Sequence, residues 1–583
     1  MDAELSTLLA ERRSDWNLRI RTMATDWRIR ALPGVWTGFL TLLVAGPWLL
    51  PGYIFGTDFA GPRHFAFPDS PASYAGLQLA LALTGLALSG EVVGKMLILA
   101  SLFAAGLLAY RAIPAGGFVP RAVGSLVYMV NPFVYDRLAY GQVGVLAGYA
   151  VLPWIASSIR GLLLEPTAKR ALAAAAAFVV VGILDVHMAL IAVILAASLV
   201  LGNLLTRARD LRYLAQLGRT LVLTGIVALG ASAYWIVPLV LGVGTEAHTL
   251  ARIGEGDLSA FSTASDPGLG LLPNVLGLYG FWGETTERFA SMKEFVPMWP
   301  LVLGALLLLS TVGAVAAWRR ADSLHLESAR SWVLGLIVAG MVAAVLEIGV
   351  SDPHIAPLVG WLDSVFPPYR GMRDAGKWAA VLALVYSQLI PIGVMETVGW
   401  TRAGLKDGLH RKYAEPLLIA LILTLPLYYG NGLLYGMHGQ IQPSSYPAGW
   451  YTADRTLVAD SRPGRTVFLP WHGYLVLSFV RNANNVVASP APLFFSVPVV
   501  ASQDLEIPGI SPPNDPDEVT VSHLVTAGAQ GNWAQELAAR DFKYVLLARE
   551  ADWTNYVYLD SQLGLLRVGD FGSIVLYRNL LWH

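Results

Sequence analysis

Long apolar runs recur from residue 33 to residue 430 and then stop. The runs lie at 33–52, 93–110, 121–138, 142–160, 171–185, 187–204, 220–243, 296–318, 331–350, 378–397 and 414–430. Most approach the roughly 20 residues that a helix needs to cross a bilayer, which predicts about eleven spans. A further apolar segment, 73–90 (SYAGLQLALALTGLALSG), is ambiguous. It is read as a helix at the membrane interface or dipping into the bilayer, because a span there would reverse the sidedness of everything after it.

Basic residues set that sidedness. Arg12, Arg13, Arg19, Arg21, Arg28 and Arg30 precede the first span and hold the N-terminus inside. The loops then predicted to be inside carry Arg111 and Arg121; Arg160, Lys169 and Arg170; Arg207, Arg209, Arg212 and Arg219; Arg319, Arg320 and Arg330; and Arg402, Lys406, Arg411 and Lys412. The short outer turns carry almost none, so an odd number of spans leaves the C-terminus outside.

After about residue 431 the pattern changes to short alternating or apolar runs: RTVFLPW (465–471), FKYVLLA (542–548) and SIVLYRN (573–579). A helical stretch, NWAQELAAR (532–540), and a turn cluster, SPPNDPDE (511–518), lie between them. The predicted organisation has three parts. A basic cytoplasmic N-terminus covers 1–32, and a transmembrane region covers 33–430 with outer loops 53–92, 244–295 and 351–377. A small extracytoplasmic α/β domain covers 431–583.

Composition narrows the function. With 55% hydrophobic and 14% charged residues among 583, the chain is a polytopic α-helical membrane protein of the cytoplasmic membrane. A formal net charge of -1 excludes a strongly basic nucleic-acid binder. There is no cysteine, hence no disulfide, thiolate nucleophile or cysteine metal site. The polar N-terminal stretch is too long for a cleavable signal, so the first span is expected to remain as an anchor.

Five stretches carry ionisable groups at the membrane edge, where they are costly and therefore candidates for function. In YIFGTDFAGPRHFAFPDS (53–70), Asp58 sits in a turn made permissive by Gly56, Thr57 and Gly61. It is a candidate general base for an acceptor hydroxyl, the alternative being an Asx-turn or helix cap. Arg63, His64 and Asp69 share its loop. In NPFVYDRLAYGQ (131–142), Asn131-Pro132 breaks a helix. Asp136 and Arg137 either cap each other there, or Arg137 and Tyr140 line a donor pocket. Asp185 and His187 share a very short turn; they supply two ligands for a divalent cation, short of a complete metal site, or a hydrogen-bonded pair. The 244–295 loop holds Glu246, His248 and Arg252, then Tyr279 and Trp282 flanking Phe281, suited to a sugar or an isoprenoid, or to interfacial anchoring. In PPYRGMRDAGKW (367–378), Arg370, Arg373 and Lys377 cluster on a face otherwise poor in cations, which suits a lipid-linked phosphate.

VVGKMLILASLFAAGLLAYR (92–111), VYMVNPFVYDRLAYGQ (127–142), YRGMRDAGKW (369–378) and the strands FKYVLLA and SIVLYRN together resemble the GT-C superfamily of integral-membrane glycosyltransferases. Within it the chain is most similar to YfhO-like proteins and the actinobacterial arabinofuranosyltransferase group. The resemblance implies a polyprenyl-phosphate sugar donor, a glycan, lipid or protein acceptor, and transfer on the extracytoplasmic side. It puts the base on Asp58 and leaves a requirement for a divalent cation open. The expected reaction is inverting transfer, with Arg370, Arg373 and Lys377 on the leaving phosphate. The rivals are a flippase for lipid-linked glycans and a non-catalytic subunit of an envelope assembly. A flippase more often shows internal repeats and mid-span charges, of which this chain offers little beyond Glu347.

Overall fold

The computed structural model describes residues 27–114, 116–207, 210–286, 288–319, 329–404, 408–462, 464–507, 510, 513 and 515–583. Arg12, Arg13, Arg19, Arg21, Arg209, Arg320, Lys406 and part of the 511–518 cluster lie outside them.

Among the described residues, eight helices are long and apolar enough to cross a membrane: Ala31–Leu49, Gly90–Ala112, Val143–Leu164, Val186–Arg207, Leu211–Val240, Trp299–Arg319, Ala329–Ser351 and Ala375–Ala403. The pair Pro416–Tyr429 and Asn431–His438, bent by 65°, makes a ninth if counted as one span. Two of the eleven expected spans fall short. The run at 121–138 is two helices, Phe118–Met129 and Pro132–Tyr140. Pro132 has no N–H to continue the first, and the Asn131 side chain accepts from the Val134 N–H (3.1 Å) to start the second. The 12-residue first piece is about 18 Å long, well under the roughly 30 Å hydrocarbon core. The run at 171–185 is the 17-residue helix Ala168–Leu184. The ambiguous 73–90 segment holds the helix Ala75–Gly85, whose 11 residues reach only about 16 Å.

Close packing in the bundle uses small residues. Helices Trp299–Arg319 and Ala379–Gly404 approach so tightly that a methyl group at Gly313 would lie 2.0 Å from the Leu389 carbonyl oxygen, and one at Gly393 2.0 Å from that of Leu309.

The C-terminal unit is a mixed sheet. Strands β1 (Arg465–Leu469), β4 (Val499–Val500), β5 (Phe542–Ala548), β6 (Leu565–Asp570) and β7 (Ile574–Asn579) run in the order β4-β1-β5-β7-β6. β1 is parallel to β4 and β5, while β7 is antiparallel to β5 and β6. Strands β2 (Tyr474–Val476) and β3 (Val486–Ala488) form a separate hairpin. The three strand-like runs in the sequence are β1, β5 and β7, and the 532–540 stretch is the helix Trp533–Ala539. β5 is buried along its length because both faces are covered. Tyr544 and Leu546 face a cluster with Trp450 and Phe494, whereas Val545 and Leu547 face Trp533 and Leu537.

The first of those clusters also contains Phe55 and Ala60, from the loop after the first span. Tyr53 pairs with Ser444 as an isolated antiparallel bridge, and the Tyr446 hydroxyl donates to the carbonyls of Ala60 and Gly61 (both 2.9 Å). The Asp58 loop is thus built into the sheet unit as well as tethered to the bundle.

Candidate functional site

Asp58 is held by backbone before its side chain acts. Phe55 and Ala60 close the loop as a bridge, and the Gly56 N–H donates to the Phe59 carbonyl (3.0 Å). The Asp58 N–H donates to the Tyr140 carbonyl at the end of helix Pro132–Tyr140 (2.6 Å). Two glycines permit this approach. A methyl group at Gly56 would lie 2.5 Å from the Gly141 Cα, and Gly141 ends the helix at φ +82°, where its own Cβ would meet the Phe59 nitrogen at 2.6 Å.

The carboxylate is reachable by water yet set deep among protein atoms. Tyr474, on β2, donates its hydroxyl to Oδ1 (2.8 Å), and Gln142 donates its amide to Oδ2 (3.3 Å). Burial raises the Asp58 pKa above the ordinary aspartate value; the two hydrogen bonds, Arg288 and Lys377 oppose that rise. Arg288 stands over the Tyr474 ring (4.6 Å) and donates to the Tyr140 hydroxyl (2.9 Å). Among the described residues it has no carboxylate partner.

A chain of polar contacts leads inward from Gln142. Its carbonyl oxygen accepts from Arg137 (2.6 Å), and Arg137 pairs with Asp374 in a fully buried contact over the ring of Phe281 (4.4 Å). Arg137 therefore does not cap with Asp136, whose carboxylate oxygens find no hydrogen-bond partner among the described residues. Lys377 is buried 4.0 Å from Asp374. Burial pushes the Asp374 carboxyl up, but the Arg137 and Lys377 cations outweigh it and leave it below the usual range. Asp185 lies within electrostatic reach of Lys377, and His187 of Asp374. Asp185 caps the helix Val186–Arg207 by accepting from the Met188 N–H (2.8 Å), with His187 3.4 Å away. Among the described residues no three His, Cys, Asp or Glu side chains are grouped to hold a metal ion.

The other predicted residues divide. Arg370 pairs with Asp363 (2.8 Å) and Arg373 with Asp257, so each of these cations already faces an aspartate and only Lys377 of that trio joins the network. Arg63 pairs with Asp454 (2.7 Å) and lies over Tyr451 and Phe494, and His64 is 3.4 Å from the Ser496 hydroxyl; both face the sheet unit. Asp69 and His248 are exposed. Glu246 accepts from the Ser73 N–H (2.8 Å) and hydroxyl, fixing the turn before helix Ala75–Gly85. Tyr279 and Trp282 are buried in ring clusters, Tyr279 against Trp299 (5.2 Å) and Trp282 against Tyr140 (5.3 Å) and Phe261 (4.6 Å), rather than open to a ligand.

Four residues of the network were not picked out from the sequence. Gln142 and Asp374 sit inside stretches that were, and their roles rest on contacts the sequence does not display. Arg288 follows the aromatic run of its loop by six residues. Tyr474 carries no local signal and is recruited across the fold.

No protein-family profile and no curated protein matches the chain in sequence. Solved structures do match in shape. The arabinofuranosyltransferase AftD from mycobacteria superposes with a TM-score of 0.58 at 14% identity over 95% of this chain, and a mutant form of AftD gives 0.57 over 96%. The chain therefore shares its fold with the matching part of AftD. The chain spans only about two fifths of AftD, 40% and 42% in the two comparisons. ArnT from Cupriavidus metallidurans, solved with undecaprenyl phosphate, aligns over 95% of this chain and 99% of its own at 12% identity, with a TM-score of 0.42. The eight long apolar helices among the described residues make this an integral membrane protein.

Proposed function

We propose that the protein is a glycosyltransferase that moves a sugar from a polyprenyl-phosphate donor to a glycan, lipid or protein acceptor at the extracytoplasmic face, with inversion. The observation that supports it is Asp58: a carboxylate of raised pKa, held by Gln142 and Tyr474 beside the cations Arg288 and Lys377. In this proposal Asp58 takes the proton of the acceptor hydroxyl. The acceptor oxygen bonds to the anomeric carbon, and the bond from that carbon to the lipid phosphate oxygen breaks, the electron pair leaving with the phosphate. Arg288 and Lys377 stabilise the departing charge, an effect that is large in a water-poor site. Arg370 and Arg373 are engaged with Asp363 and Asp257. The arabinofuranosyl transfer in the name of AftD favours a pentofuranose among the donors to try first.

The test is turnover by purified protein in lipid, offered labelled polyprenyl-phosphate sugars and membrane glycan extract. Asp58→Asn is expected to lower the rate by about 10²–10⁴-fold, the usual contribution of a general base, with donor binding retained. Unchanged turnover in that variant rejects the assignment. Lipid-linked glycan crossing between leaflets without any transfer would point to a flippase.

A further inference from the structure

A cleft of about 360 Å³ opens in the sheet unit between the β2–β3 hairpin and residues 499–505. Its volume falls in the range of small-molecule sites, about 300–1,000 Å³. Two of its lining residues also hold the Asp58 loop. Tyr474 donates its hydroxyl to Asp58 (2.8 Å), and the Ala488 N–H donates to the Thr57 carbonyl (2.7 Å). The cleft is therefore one side chain away from the candidate base.

Its chemistry is selective. Among the described residues, Asp504 is the lone charged residue in the lining, and no lysine, arginine or histidine joins it. An anionic ligand would meet a carboxylate and no counter-charge. The wall is fixed in advance, because Glu518 accepts from the Ser502 hydroxyl (2.6 Å) and from the Gln503 N–H (3.1 Å). That leaves the exposed Gln503 side-chain amide free to hydrogen-bond a ligand. The Ser489 hydroxyl is buried and has no partner among the described residues, although nearly all buried polar groups are bonded. The rest of the lining is small or apolar, suited to the C–H faces of a sugar ring.

We infer that this cleft is the acceptor subsite and takes an uncharged saccharide, whose reacting hydroxyl it directs past Tyr474 to Asp58. The inference rests on the transferase reading above and adds the place and the charge class of the acceptor.

The experiment uses the full chain in nanodiscs and measures saturation-transfer NMR binding of neutral trisaccharides (arabinose-, mannose- and glucose-based), with a glucuronate-bearing trisaccharide as the anionic control. At least one neutral trisaccharide should bind wild type and Asp58→Asn alike, and the anionic one more weakly. Gln503→Ala should weaken binding about fivefold, the worth of one neutral hydrogen bond, and raise the acceptor KM by the same factor. Ser489→Phe, which fills the cleft, should abolish binding; if it fails to fold, the exposed Gln503 position still decides. Equal binding to wild type and Gln503→Ala, no binding of any neutral saccharide, or preference for the anionic one overturns the inference. The two readings fail separately. Sugar transfer indifferent to Gln503 keeps the transferase and removes the cleft; saccharide binding lost in Gln503→Ala, with no transfer from any donor, keeps the cleft and removes the transferase.

Discussion

The Tyr474 hydroxyl donates to Asp58 Oδ1 at 2.8 Å, joining residues 416 positions apart. The contact links the loop after the first span to a hairpin of the C-terminal sheet unit, and it favours the charged form of a carboxylate that burial otherwise disfavours.

Removing that hydroxyl has a signed consequence. In Tyr474→Phe the Asp58 pKa should rise further, because a hydrogen bond that favours the charged carboxylate is lost. The pH profile of kcat/KM for sugar transfer should show its acid limb displaced to higher pH. An unmoved limb would mean that another group sets it.

Gly141→Ala should destabilise the protein by about 1–3 kcal/mol, since the residue holds φ +82° and its Cβ would press on the Phe59 nitrogen. Thermal unfolding in detergent reads the loss. Turnover should fall further than stability alone accounts for, because the displaced backbone carries Asp58.

Arg63→Met should loosen the sheet unit from the bundle. The substitution removes the partner of Asp454, which is only 4% exposed, and two ring contacts. Because Arg63 itself is a quarter exposed, the cost is about 1–3 kcal/mol rather than that of a fully buried pair. Faster limited proteolysis around 491–496 would report it, and an unchanged cleavage rate would show that the ring contacts and the pair contribute little.

The features legible in the sequence are those that depend on local pattern. Short, mostly apolar runs set between turn and helix signals marked β1, β5 and β7, and apolar length marked the bundle. Gly56 and Gly61 marked the tight turn of Asp58. What local pattern cannot encode is partnership at a distance. Arg370, Arg373 and Lys377 look alike in sequence, yet Asp363 and Asp257 engage the first two, and Lys377 alone turns toward Asp374. Of the two readings open for Arg137, a cap with Asp136 fails because adjacent helical residues point apart, and its partner lies 237 residues on. Hydropathy reads the run at 121–138 as one span because it ignores the N–H that Pro132 lacks.

Acidity should also act on the cleft wall. His472 lies between Glu506 (2.8 Å) and Asp552 (3.1 Å). Burial lowers its pKa, but the two carboxylates outweigh that and raise it above the ordinary 6.5. The stabilisation is therefore complete below pH 6.5 and is lost as pH rises through the higher folded value. Hydrogen exchange in 501–507, corrected for intrinsic rate, should be faster at high pH than at low pH in wild type and level in His472→Gln. A flat wild-type profile would show that the histidine does not tether this segment.

Because Phe55 and Ala60 lie in the same apolar cluster as Trp450 and Phe494, the order of synthesis matters. A nascent chain with its helices already inserted holds Asp58 by Gln142 and the Tyr140 carbonyl alone. The Tyr474 hydrogen bond, and the apolar floor beneath the loop, exist only after the sheet unit has folded. A chain whose bundle alone has formed thus lacks a finished carboxylate site, and docking of the sheet unit becomes the event that completes it.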